Sequence, residues 1–114
     1  MENKVSVKSV SGVELCPGFI ARMIHTKHAT YSYVEVTAGA TIALHKHPEE
    51  QVLNLISGDM SVTVGEETTR CTAGDVVVIP GDVLHAVTAI TDCLALDVFT
   101  PARLDYGQHG FVSK

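Results

Sequence analysis

Apolar and polar positions alternate with a period of two along most of the chain. A turn signal interrupts the alternation about every eight to twelve residues. Val5 to Val13 alternates loosely with Lys4, Ser6 and Lys8, which predicts an edge or exchanged strand punctuated by Gly12. After the turn Cys16-Pro17-Gly18, strands are predicted for Phe19 to His25 and Tyr31 to Thr37, and then from the turn at Gly39 into His45. The apolar run Val52 to Ile56 follows, then Met60 to Val64, and Gly65-Glu66-Glu67 closes a hairpin into Thr68 to Cys71. Beyond the turn at Gly74 come Val76 to Ile79, a run apolar on both faces, then His85 to Ile90 and Cys93 to Phe99. Pro101 ends the sheet, leaving Arg103 to Lys114 as a polar tail with Gly107 and Gly110. No segment carries a helical pattern of ten or more residues. Many short strands with frequent turns predict an all-β sandwich or barrel.

Composition narrows the picture. A chain of 114 residues is one domain by length, so residues 1–114 are expected to share a core. Hydrophobic residues make up 46% and aromatics only 5%, so that core must be built from Val, Ile, Leu and Ala. The net charge of −5 with no basic cluster argues against a nucleic-acid surface. No stretch approaches the ~20 apolar residues of a membrane-spanning helix, and the first residues lack the apolar core of a secretory signal. Cys16, Cys71 and Cys93 are odd in number and have no Cys-x-x-Cys pair, as expected of reduced thiols in a cytoplasmic protein.

Candidate chemistry concentrates in residues 39–58. In a strand, residues two apart share a face, so His45 and His47 project together with Ala43, while Ile42, Leu44 and Lys46 point away. Pro48 bends the chain, and Gln51 offers a side-chain oxygen after the turn. His85 follows a second turn at Pro80-Gly81-Asp82. Three imidazoles and one oxygen donor suit a divalent ion such as Zn, Ni, Fe or Mn. Glu49 and Glu50 read as a solvated acidic turn. His25, His28 and His109 read as surface residues, with His25 close enough to a strand end to line a cavity mouth. Tyr31 and Tyr33 share a strand face suited to barrel packing or a dimer contact.

These residues resemble the two motifs of the cupin family. Gly39, His45, His47 and Gly58 fall in register with the first motif, with Gln51 where the family usually has Glu. Gly74, Pro80 and His85 match the second motif, spanning 74–89, while Asp82 replaces a glycine and Ala89 an asparagine. The resemblance covers roughly residues 18–103. It implies a cupin barrel (a double-stranded β-helix, or jelly roll) with one metal ion held by His45, His47, Gln51 and His85. It also implies a homodimer, with strand exchange over Lys4 to Val10 in the N-terminal arm, residues 1–17. In such a barrel the four ligands face inward against an apolar wall of Leu53, Leu55 and Val87. Asp97, flanked by Leu96 and Val98, either faces solvent on an edge strand or faces the cavity beside the metal. Arg103 either pairs with it, receives an anionic ligand, or is solvated past the strand end.

The run Asp97-Val98-Phe99-Thr100-Pro101-Ala102-Arg103-Leu104-Asp105-Tyr106 is similar to the end of the pectin-degradation cupins of the KdgF type, which also carry Gln at the fourth ligand position. That resemblance implies conversion of 4,5-unsaturated uronic acid monosaccharides, from pectin or alginate breakdown, to the linear keto form. Asp97 and Arg103 would be active-site residues, Phe99 a cavity wall, and the substrate a carboxylated sugar. Thr100 and Leu104 depart from the pattern, and residues 104–114 have no role assigned by it. The other classes compatible with such a barrel are an iron dioxygenase and a non-catalytic module binding a sugar or small anion.

Overall fold

The computed structural model describes residues 3–113; Met1 and Glu2 of the expected arm and Lys114 of the expected tail lie outside the described residues. Eleven strands run in chain order: β1 Val13–Cys16, β2 Phe19–His25, β3 Thr30–Val36, β4 Thr41–His45, β5 Glu50–Ser57, β6 Asp59–Val64, β7 Glu67–Thr72, β8 Val76–Ile79, β9 His85–Ala89, β10 Cys93–Thr100 and β11 Phe111–Val112. The larger sheet has the order β1-β2-β3-β10-β5-β8, with β11 also on β2, and the smaller has the order β4-β9-β6-β7. All pairings are antiparallel except β11 with β2. The only helical pieces among the described residues are two three-residue 3-10 turns, Val7–Ser9 and Leu104–Tyr106. Among the described residues no helix is long and apolar enough to cross a membrane. This is the all-β barrel that the alternation predicts, in the jelly-roll form that the cupin resemblance implies.

Period-two burial produces the core. Phe19, Ala21 and Met23 of β2 are buried, as are Val34 and Val36 of β3, Leu53 and Leu55 of β5, and Met60 and Val62 of β6. Together with Val87 and Ala89 of β9 they fill the space between the sheets. Val52 and Asn54 fall on the opposite, half-buried face of β5.

Four local expectations are corrected. Of the stretch Val5 to Val13 only Val13, the first residue of β1, is in a strand: Ser9 and Val10 donate backbone N–H to the Ser6 and Val7 carbonyls, and the Ser9 hydroxyl bonds the Ser6 carbonyl at 2.7 Å. These local bonds compete with a strand ladder. The run Val76 to Ile79 is not buried on both faces, because β8 is a sheet edge that pairs only with β5. Ile79 is buried there, while Val76 and Val78 are each 56% exposed. In β4 the register with β9 shifts between Ile42 and His45, so Ile42 lines the same cavity as His45, while Ala43 and Leu44 are both exposed. Such a bulge adds a residue and resets the alternation. The segment after Pro101 is not a loose tail, since Phe111 and Val112 add a parallel strand alongside Ile24 and His25.

Gly58 closes the β5–β6 turn at φ +91°, where an added Cβ would lie 2.2 Å from the Asp92 carbonyl oxygen. The left-handed backbone and the unyielding contact both oppose a side chain. Gly58→Ala is expected to destabilise the fold by about 2 kcal/mol or more. Urea unfolding should show a lower midpoint with an unchanged slope.

Candidate metal centre

β4 and β9 bring the first and third histidines together as direct cross-strand partners, His45 opposite His85. The turn after β4 supplies His47, and the buried start of β5 supplies Gln51. The loop before β9 docks on that turn. Asp82 donates its backbone N–H to the His47 carbonyl at 2.8 Å, and Gly81 sits so close that a Cβ there would meet the Pro48 oxygen at 2.2 Å. Glycine at 81 is therefore a packing requirement. Asp82 itself adopts φ +62°, which explains why the related motif places glycine at this position.

One ring nitrogen from each of His45, His47 and His85 lies within 4.8 Å of the others, a group able to hold a metal ion. The hydrogen bonds define the tautomers. Nδ1 of His45 faces the Ala43 carbonyl at 2.9 Å, Nδ1 of His47 the Glu49 carbonyl at 3.0 Å, and Nδ1 of His85 the Val83 carbonyl at 2.8 Å. A carbonyl only accepts, so each Nδ1 carries the proton and each neutral ring keeps its Nε2 lone pair for the cavity. The His85 Nε2 is buried with no partner. His47 Nε2 lies 3.2 Å from the Gln51 side-chain oxygen, so two acceptor lone pairs face each other. Asp97, itself an acceptor, favours the Gln51 N–H on its own side and hence this orientation. A divalent cation would satisfy both the orphaned nitrogen and the opposed lone pairs, so the residues present fit a metal. Burial also lowers the pKa of His47 and of His85, with Arg103 adding to the effect, which keeps both rings in the ligating form.

Asp97 lines the same cavity as the three histidines. Its Oδ1 is buried without a partner. Desolvation raises its pKa from 3.8 to about 6, while Gln51 and Arg103 pull the other way. Arg103 is buried but does not hydrogen-bond Asp97. Its Nε and Nη2 donate to the two carboxylate oxygens of Asp105 at 2.9 and 2.6 Å, and its Nε lies 3.4 Å from Glu49. The guanidinium lies 4.8 Å from the Phe99 ring centre and 4.4 Å from that of Tyr106. The Phe99 ring meets His47 nearly edge-on at 5.5 Å. The cavity measures about 70 Å³, with an apolar floor that includes Phe19, Val34, Leu53 and Met60.

Four residues differ from the sequence expectation. Glu49 is not a solvated turn residue: its side chain is 13% exposed and sits between His47 and Arg103. Tyr106 and Asp105, expected in the tail, pack on and pair with Arg103. His25 is not a surface residue and does not line the cavity. Its Nε2 donates to the His109 carbonyl at 2.8 Å, so its Nδ1 accepts from the Thr30 hydroxyl, also at 2.8 Å. Thr30 Oγ1 in turn accepts the Arg103 backbone N–H at 2.9 Å. The Pro48–Glu50 stretch carried no periodic signal that distinguishes Glu49 from Glu50.

Two facing, almost wholly antiparallel sheets with histidines from β4, the following turn and β9 aimed into the space between them define a β-barrel with a histidine cluster able to hold a metal ion. The profile of the family described as Cupin domain matches residues 32–99, and this chain belongs to the cupin family. A Streptomyces coelicolor relative named Uncharacterized protein SCO3923 is 31% identical over 85 residues, covering 74% of this chain and 81% of the relative. Among solved structures, KdgF from Halomonas sp. is 27% identical with a TM-score of 0.81, over 86% of this chain and 94% of that one. An RmlC-like cupin from Shewanella frigidimarina is 24% identical with a TM-score of 0.86, over 93% and 96% of the two chains, and shares the fold.

The pKa shifts make the metal-free protein sensitive to acid. Below about 6.5 the unfolded chain protonates His47 and His85 while the folded chain resists, so stability falls as the pH drops through that window. Asp97 acts oppositely: its contribution is present below about 3.8 and is lost as the pH rises through about 6. Because the carboxyl opposes the two imidazoles, the melting temperature in chelator should fall more steeply from pH 7 to pH 5 in Asp97→Asn than in wild type. A variant profile no steeper than that of wild type contradicts the assignment.

Proposed function

We propose that the chain is a metal-dependent enzyme that converts 4,5-unsaturated uronic acid monosaccharides to their linear keto form. The observation that carries this reading is the partnerless buried Asp97 oxygen on the cavity wall shared with the histidine cluster. The similarity of Asp97 to Tyr106 to the ends of pectin-degradation cupins, and the 27% identity with KdgF, support it. The ligands we assign to one divalent ion (Ni, Zn, Mn or Fe) are His45, His47, Gln51 and His85. All four are neutral, so the ion when bound supplies a full double positive charge that polarises substrate oxygens.

The chain's own residues account for the proton movements. Asp97 takes the proton of the anomeric hydroxyl, and that oxygen's electron pair forms the carbonyl as the ring C–O bond breaks. The released ring oxygen becomes an enolate oxygen on the carbon of the 4,5 double bond. Asp97 then returns its proton to carbon 4, and the enolate becomes the ketone with no net gain or loss of atoms. A carboxyl held near pKa 6 can do both at neutral pH. Arg103 keeps its outer edge, Nη1 and the second Nη2 hydrogen, for the substrate carboxylate, because Asp105 occupies the other edge. Phe99 forms the wall beneath Arg103 and beside His47.

The cavity volume of about 70 Å³ favours a second reading, a non-catalytic module for a small anion. On the first reading a sugar acid leaves part of itself at the mouth near Arg103 and Tyr106. A homodimer fits either reading. Ile24, Tyr31, Val98, Val52 and Val78 pair in sequence across five strands of the larger sheet, making one apolar row on its outer face.

Unsaturated uronates absorb in the ultraviolet through their double bond, so conversion appears as decay of that absorbance. Asp97→Asn should slow the decay by roughly 10²–10⁴-fold while metal content is retained. Arg103→Lys should raise KM more than it lowers kcat, since the planar fork is lost. Wild-type decay no faster than buffer would reject the enzyme reading for these substrates. Oxygen uptake would then point to a dioxygenase, and calorimetric binding of small carboxylates without turnover to a binding module. The double variant His45→Ala/His47→Ala should lose the metal, and a full equivalent retained would overturn the ligand set.

A further inference from the structure

Glu49 lies in the turn between two of the proposed ligands, yet its carboxylate is turned inward. Oε1 is buried and makes no hydrogen bond. It lies 3.4 Å from Nε of Arg103 and 3.5 Å from Nδ1 of His47. Neither N–H is available to it. The Arg103 Nε–H already donates to Asp105 at 2.9 Å, and the His47 Nδ1–H to the Glu49 backbone carbonyl at 3.0 Å. What Glu49 supplies to both groups is therefore negative charge at short range. The backbone holds it there, because Asp82 donates to the His47 carbonyl and the loop through Gly81 packs on the Pro48 oxygen. Glu50, one residue on, faces solvent.

The charge count at this end of the cavity follows. Arg103 brings one positive charge, while Asp105 and Glu49 bring two negative charges. The excess favours a cation at the histidines and opposes an anion at the free edge of Arg103. We propose that Glu49 is a positioning residue that sets this balance, raising metal affinity through His47 and lowering anion affinity at Arg103. The inference rests on the reading above of His47 as a ligand and Arg103 as an anion anchor. It adds a residue that sets how strongly the site discriminates against anions.

The test uses Glu49→Gln, which keeps the shape and removes the charge. Zn²⁺ is titrated calorimetrically into chelator-treated full-length protein. Acetate is titrated separately into the metal-free ¹⁵N-labelled protein at low salt, following the Arg103 Nε–H resonance. The Zn²⁺ dissociation constant should rise by roughly tenfold, the direction set by one negative charge removed at short range from a ligand of a divalent ion. The acetate dissociation constant should fall by roughly 3–10-fold, the direction set by one charge removed at short range. Glu49→Asp, charged but one methylene shorter, should restore most of the Zn²⁺ affinity. A purely structural role would weaken both ligands together and leave Glu49→Asp no better than Glu49→Gln; that result overturns the proposal, as does a Gln variant indistinguishable from wild type. Wild-type protein that takes up no Zn²⁺ would instead reject the ligand set, and this inference with it.

Discussion

Three backbone carbonyls govern the site. Those of Ala43, Glu49 and Val83 each accept one Nδ1–H, so the three imidazoles are fixed in tautomer and direction before anything enters the cavity. A buried lone pair without a partner, as at His85 Nε2, is unfavourable by itself. The fold sustains that arrangement through the cross-strand pairing of His45 with His85 and the docking of residues 80–82 on His47 and Pro48. Loss of either would let the rings rotate and bond locally, and the convergence would disappear.

The neighbouring charges are arranged at two depths. Asp97 is set among nonpolar neighbours and beside Gln51, where burial favours its protonated form. Arg103 is held one layer out, clamped by Asp105 and Glu49 and covered by Phe99 and Tyr106. Keeping Arg103 from pairing with Asp97 matters chemically. A direct ion pair would depress the carboxyl, whereas here the guanidinium only moderates a shift that desolvation dominates.

The strand pattern and the grouping of His45, His47 and His85 were legible from alternation and motif spacing, whereas Asp97 was left open between solvent and cavity until the sheet order put it on the cavity wall. What was not legible depends on contacts between distant segments. Glu49 and Glu50 are chemically identical; Glu50 is turned out by its place beside buried Gln51 in β5, while Glu49 lies in the turn against which Gly81 docks. His25 looked like a surface residue because its partners, Thr30 and the His109 carbonyl, come from another strand and from the chain's last turn. Val76 and Val78 looked buried because edge position is a property of the sheet, not of the run.

The departures from the family motifs separate by the same physics. At position 89 the backbone closes the sheet, through Gly39 N–H to its carbonyl and its own N–H to the Ala40 carbonyl, and the buried alanine methyl joins the core, so the turn holds without an asparagine side chain. Position 82 requires a left-handed backbone, which aspartate tolerates better than most residues, so the turn survives without glycine. Gln51 is different in kind. Replacing a carboxylate with an amide leaves the geometry but removes one negative charge from the ligand set, and nothing in the backbone demands it. Glu49 returns a negative charge two residues earlier, on the far side of His47 from the cavity, where it reaches Arg103 as well. The charge is thus displaced from ligand to surroundings: the ion would keep its full polarising power toward a substrate while the protein still holds it electrostatically.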